Sequence, residues 1–169
     1  MLTSVVDTNV VLVANQQHQG VSPDCIRTCA LRLQEIIREG RLALDDAFLI
    51  LSEYQNKTRP NRGKGPGDAF VKWALRNSAN AARCDRIEIK THARRGFESF
   101  PDDDRLANFD APDRKFVAVA SSHPDHPPVL QAADSKWIDW APALKDHGVD
   151  VLFICERDIQ RFHQNKFGA

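Results

Sequence analysis

Four acidic residues in this 169-residue chain, Asp7, Glu53, Asp113 and Asp134, stand where a catalytic or metal site could be built. Asp7 interrupts the apolar run of residues 4–13. A β-branched run suits the central strand of a parallel sheet, and an unpaired charge inside such a strand is prohibitively costly. Asp7 is therefore expected at the strand's carboxyl end, where open α/β sheets hold ligands. Read alone, Asp7 is equally well a helix N-cap. Glu53 falls about two turns into the helix expected after the second strand. Asp113 lies in the first turn of a helix carrying Phe116 and Ala120, and Asp134 follows the strand Val129-Leu130-Gln131. In a parallel sheet all strand ends and following helix starts share one edge, so the four can converge there. Carboxylates about 5 Å apart repel by roughly 3 kcal/mol per pair at an effective dielectric near 20. Either several hold a proton or a divalent cation neutralises them, and all-oxygen ligands select Mg²⁺ or Mn²⁺ over zinc.

The elements that must position these acids follow from periodicity. A strand over residues 4–13, with its acidic interruption, leads into a polar loop at 16–22. Pro23-Asp24 open a helix with Ile26, Ala30, Leu33 and Ile37 on one face, ended by Gly40. Leu42-Ala43-Leu44 reads as a strand, and Asp45-Asp46 cap the helix bearing Glu53. Residues 58–67 read as a mobile basic loop, 68–82 as a helix and 86–90 as an edge strand. Residues 91–110 look irregular. A helix over 111–121, a strand over 128–132, a helix over 135–146 and a buried strand over 149–154 complete the pattern. Alternating strands and helices predict an α/β protein with a mostly parallel sheet of four to five strands covered on both faces.

Within that pattern a resemblance becomes specific. Val6-Asp7-Thr8-Asn9-Val10-Val11 resembles the opening motif of PIN-domain ribonucleases, and Leu51-Ser52-Glu53-Tyr54 resembles their second acidic motif. Asp113-Arg114-Lys115-Phe116-Val117-Ala118-Val119-Ala120 resembles the third and Ala133-Asp134-Ser135-Lys136-Trp137 the fourth. The resemblance implies a three-layer α/β/α PIN-like fold over residues 1–169 and Mg²⁺- or Mn²⁺-dependent endoribonuclease activity. It further implies frequent homodimers and, in many relatives, a toxin paired with an antitoxin protein. Two departures stand out: an extended basic insertion at about 58–110, which weakens the toxin role, and Ala132-Ala133 where a hydroxyl often precedes the fourth acid. Under this reading Asp7, Asp113 and Asp134 ligate metal directly or through water, and Glu53 holds a metal-bound water. Asn9 and Ser135 orient ligands or waters from behind, and Thr8 is assigned to capping. Asp110 is a lesser candidate for Asp113's place, and Asp139 for the fourth position.

Composition narrows the remaining classes. Lys and Arg number 23, as do Asp and Glu, yet between Lys57 and Arg95 eleven basic residues face three acidic ones. That local excess of eight positive charges is balanced by the remainder of the chain. It suggests a phosphate-binding face, assigned to Arg59, Arg62, Lys64, Arg94 and Arg95 for an RNA substrate, although taken alone such a charge run is more commonly a solvated face. Cys25, Cys29, Cys84 and Cys155 lack zinc-like spacing and are expected to be reduced thiols of a cytoplasmic protein. No basic leader precedes an apolar core and no apolar stretch reaches roughly 18 residues, which argues against secretion and membrane spanning. His123-Pro124-Asp125-His126 reads as a surface turn rather than a zinc site, and Asp102-Asp103-Asp104 as a solvated turn. The three tryptophans read as packing. Phosphate-loop, dinucleotide and acyl-transfer signatures are missing. The alternatives to an endoribonuclease are a PIN-fold RNA- or protein-binding module with little catalysis, and a metal-dependent nuclease on structured DNA.

Overall fold

In the computed structural model, which describes residues 1–168, strand β1 (Thr3–Val6), buried from Ser4 onward, is the middle of a five-stranded sheet. The chain first builds one half, with β2 (Arg41–Asp45) beside β1 and β3 (Cys84–Ile87) at the edge. It then crosses to the other side of β1, where β6 (Val129–Gln131) pairs with it and β7 (Val151–Phe153) closes the opposite edge. Every pairing in this sheet is parallel. The helices α1 (Thr8–Ala14), α2 (Pro23–Glu39), α3 (Leu49–Lys57), α4 (Pro66–Asn77), α5 (Arg114–Ser122), α6 (Lys136–Asp146) and α7 (Glu156–Phe167) flank it in a three-layer α/β/α arrangement. Among the described residues no helix is long and apolar enough to cross a membrane.

Several expectations need correction. Val10–Val13 do not continue β1; they lie in α1, which starts two residues after the strand ends. Asp7 turns the chain by accepting the Asn9 N–H at 2.9 Å, and Val10, Val11 and Val13 are buried on the new helix. Burial overrides their β propensity. Asp45 does cap α3, accepting N–H groups from Ala47, Leu49 and Ile50. The edge strand β3 begins two residues before its expected place, and β7 is half exposed at an edge rather than buried. Helix α7 was not anticipated. The stretch 91–110 contains a hairpin of β4 (Thr91–His92) and β5 (Gly96–Phe97), in which Gly96 adopts φ +86. Arg114 ties this hairpin to the start of α5, donating to the Arg95 carbonyl at 3.0 Å and lying over the Phe100 ring.

The basic loop before α4 is clamped. The Asp68 carboxylate accepts from Arg59 N–H at 2.8 Å, Gly65 N–H at 3.1 Å and the Asn15 amide at 2.8 Å. Burial would raise its pKa, but these donors outweigh that and hold the group below its ordinary value. A Cβ at Gly63 would overlap the same carboxylate, so the loop closes only with glycine there. Part of the positive charge also serves the fold. Arg83 donates to the carbonyls of Ile36, Ile37 and Gly40 at the end of α2 and lies over Trp73. His123, expected on a surface turn, is buried and meets Asp85 at 2.8 Å.

The cysteines depart furthest from expectation. Cys25 and Cys155 form a disulfide that joins the first turn of α2 to the residue capping α7. Cys29 and Cys84 are free and buried. The argument from reduced thiols to a cytoplasmic setting therefore does not stand. A partner 130 residues away leaves no local signal in the sequence.

Candidate functional site

The sheet reverses its winding beside β1, so the crevice above the carboxyl ends of β1 and β6 is where this topology offers a ligand site. A cavity of about 410 Å³ opens there, and Asp7, Glu53, Asp113 and Asp134 all line it. Asp7 leaves β1 and caps α1. Asp113 ends a 3₁₀ turn and precedes α5, and Asp134 receives the Lys136 N–H at 3.2 Å where α6 begins. Glu53 reaches the crevice from α3. Asp7 thus serves both readings, as cap and as wall of the cavity.

Asp7 is held by a chain of amides. Its second oxygen accepts from the buried Gln131 side chain at 3.0 Å. The Gln131 carbonyl takes hydrogen bonds from the Asn9 amide, from Ala132 N–H at 3.0 Å and from Asp134 N–H at 3.2 Å. Asn9 completes the loop by accepting from Ala132 N–H at 3.0 Å. Asn9 therefore orients Asp7 through Gln131, as a supporting residue. Ser135 is buried on the cavity wall without a side-chain hydrogen bond to the described residues.

Charge is distributed unevenly among the acids. Glu53 receives the Lys115 ammonium at 3.0 Å on one oxygen and the Thr8 hydroxyl on the other. Thr8 thus positions Glu53, while the capping role assigned to it belongs to Asp7. Asp110 pairs with Lys136, and Asp139 is turned away toward His163. Asp7, Asp113 and Asp134 make no ion pair with the described residues. Burial above all, then the Asp113 charge, raises the Asp7 pKa well above its ordinary value, against the Asn9 N–H; Asp134 and Glu53 add to the rise. Burial, with Asp134, Glu53 and Asp110, pushes Asp113 up to about 6. Asp134 is raised mainly by burial, which outweighs the nearby Lys136. Oxygens of Asp110, Asp113 and Asp134 lie within 4.8 Å of one another.

The cations at the cavity differ from those expected. Lys57, Lys136, Lys166 and His18 line it, whereas Arg59, Arg62, Lys64, Arg94 and Arg95 do not. Lys64 faces the groove between α2 and α4. Arg94 pairs with Asp102, and Arg95 spends its guanidinium on the carbonyls of Glu98 and Phe100. Lys115 and Gln131 were missed. Gln131 had a readable signal, an amide inside an otherwise apolar strand; Lys115 had none beyond its place beside Asp113.

Comparison with family models, curated proteins and solved structures found no match to this chain.

The raised carboxyls give a pH dependence of defined sign. A group whose folded pKa lies above its unfolded value contributes stability below the unfolded pKa and loses it as pH rises through the folded one. For Asp113 that window runs from about 4 to about 6. Metal-free protein should accordingly lose on the order of 2–3 kcal/mol between pH 4 and pH 7 through Asp113 alone. Asp68 and Asp85, held below their ordinary values, lose their contribution only as pH falls under about 4. Urea unfolding in chelator at stepped pH measures the trend, and Asp113→Asn should flatten it. Stability that rises across this window would contradict the buried cluster.

Proposed function

We propose that this protein is a Mg²⁺- or Mn²⁺-dependent endoribonuclease that hydrolyses RNA phosphodiesters, with its site at the crevice above β1 and β6. The observation carrying this reading is the trio Asp7, Asp113 and Asp134, three carboxylates with raised pKa values at a topological switch point and without a cationic partner among the described residues. Such a group favours a bound divalent cation over continued protonation near neutral pH. The donor set is all oxygen, which suits Mg²⁺ or Mn²⁺, and Asp113 and Asp134, with Asp7 and Asp110 beside them, are the residues that would hold it. When bound, the cation supplies neutralisation of phosphate charge and acidification of water. The four sequence motifs that resemble PIN-domain ribonucleases select RNA hydrolysis from the reactions such chemistry permits.

The chain's own residues divide the remaining work. Gln131 and Asn9 fix the Asp7 carboxylate. Lys115 and Thr8 fix Glu53, leaving it near the cavity as an acceptor for a water proton. Lys57 and Lys166 stand at the wall where substrate phosphates would approach. No covalent intermediate on the protein is required.

The test is the chemistry of the product ends. Fragments should carry 5′-phosphate and 3′-hydroxyl groups, and cleavage should persist when the 2′-hydroxyl next to the scissile bond is removed. A 2′,3′-cyclic phosphate would show the RNA supplying its own nucleophile and would sink the proposal. In parallel, Mg²⁺ or Mn²⁺ should raise the melting temperature near pH 7.5 and do so much less near pH 4.5, where the acids hold protons. A metal response that is equal at both pH values would point away from these carboxylates.

A further inference from the structure

A second groove, of about 460 Å³, adjoins the carboxylate cavity, the two sharing three lining residues. Leu49, Phe97, Ala111 and Pro112 give it apolar walls, and Ser52 and Asn56 give it a polar rim. Glu53, Lys57 and Pro112 belong to both spaces, so the groove begins where the acids end. Its two sides come from different parts of the chain: α3 forms one, and the β4–β5 hairpin with the turn before α5 forms the other. The hairpin lies inside the basic insertion, which thereby acquires a place next to the site. Arg114 fixes the hairpin to α5, and Gly96, with its positive φ, allows the chain to present Phe97. Leu49 is 41% exposed, a large apolar side chain left at the mouth of the groove.

From this we infer that the groove is a nucleobase subsite, which seats one unpaired base adjoining the phosphodiester held over the acids. The inference rests on the proposed nuclease reading and extends it to substrate recognition. A base presents two flat apolar faces and a polar edge, and the groove presents apolar walls with an amide and a hydroxyl at the rim. Lys57 stands at the junction, where the phosphate joined to that base must pass. A peptide would fill apolar walls equally well, but it would have no use for a groove that opens onto carboxylates through a lysine. Stacking on apolar and aromatic side chains tolerates any base, whereas hydrogen bonds from Asn56 to the base edge discriminate. The preference at this position is therefore set by Asn56, and the requirement for an unpaired base by Phe97 and Leu49.

The test uses single-stranded RNA oligonucleotides in which one nucleotide at a time is abasic. Binding is followed by fluorescence anisotropy in chelator and cleavage in Mg²⁺ or Mn²⁺. Removal of the base at one position beside the cleaved bond should weaken binding by about fivefold or more, as loss of a stacked base does. In Leu49→Ser and Phe97→Leu, the second keeping an apolar wall so that the fold survives, the same abasic site should make little further difference. Asn56→Ala should change which base is preferred without changing the dependence on having one. Hydrogen exchange should slow around Leu49–Asn56 and Phe97 when RNA is added. An abasic penalty that is equal in wild type and both wall variants overturns the subsite, as does protection confined to the acid cavity, which would leave the groove to a protein partner. Base-dependent binding without cleavage under either metal would overturn the nuclease reading while keeping the subsite. Cleavage indifferent to every abasic position would do the reverse, and absence of RNA binding would overturn both.

Discussion

Asp113→Asn is expected to lower the rate of RNA hydrolysis by about 10²-fold or more, the equivalent of roughly 2.7 kcal/mol of transition-state stabilisation, in a protein that still folds. The substitution is the cleanest available at the site, because the Asp113 carboxylate accepts no hydrogen bond from the described residues, so an amide there breaks none. Metal-free stability at pH 7.5 should hold or rise, since a buried charge facing Asp134 and Glu53 is removed. RNA affinity in chelator should also hold or rise, because one phosphate-repelling charge is gone. Asp134→Asn should behave alike in rate. Asp7→Asn is a less clean probe: both Asp7 oxygens accept hydrogen bonds, and an amide must face either Asn9 N–H or the Gln131 side chain with a donor. Glu53→Gln removes the partner of a buried lysine and should cost stability as well as rate. Single-turnover cleavage with saturating enzyme separates the chemical step from binding. Rates at the wild-type level in both Asp113→Asn and Asp134→Asn would show that the acids serve something other than hydrolysis.

Loss of the Cys25–Cys155 disulfide is expected to have the largest effect on stability. The bond joins residues 130 positions apart, closing a loop over some three quarters of the chain, and chain-entropy arguments give about 4–5 kcal/mol for a crosslink of that length. For a domain of this size that corresponds to a melting temperature lower by roughly 10–20 °C. The neighbouring thiol does not relieve the loss. Burial pushes Cys29 up to about 12, so it stays protonated although its sulfur lies 3.7 Å from that of Cys155. Only a thiolate attacks a disulfide, so Cys29 leaves the bond in place. Thermal unfolding with and without a dithiol reductant, repeated on Cys155→Ser, measures the effect. Indistinguishable melting of wild type and Cys155→Ser under non-reducing conditions would remove the bond from the account of stability.

The acids were legible because carboxylates after strands have few places to go in a parallel sheet. Asp7, Asp113 and Asp134 could be placed at one edge before any geometry was known, and Glu53 followed from its position on α3. What surrounds them was harder to read. Gln131 and Lys115 act through side-chain directions that depend on how β6 and α5 dock, and no spacing in the chain encodes that. The valines of α1 carry the composition of a strand yet form a buried helix, because the turn at Asp7 sends them into the space between sheet and helices. The basic insertion suggested a phosphate surface by its charge. Three of its arginines also serve the fold, Arg83 at the end of α2 and Arg94 and Arg95 within the loop, and such a destination is set by which carbonyls and carboxylates happen to be close. The disulfide depends on the meeting of remote segments, which a single sequence does not report, whereas α7 carries local signals, with Glu156 and Asp158 in its first turn and Lys166 in its last.

The central place of β1 has a consequence for how the protein is made. Asp7 is synthesised before Gln131, which holds it from 124 residues further along the chain, and Asp134 comes later still. A growing chain can form β1, β2 and β3 early, yet the crevice has only one wall until β6 takes its place beside β1. The carboxylates are therefore strangers to one another until β6 and the residues after it have been made. For an enzyme with the proposed activity, that order keeps the nascent chain inert toward the message from which it is being read.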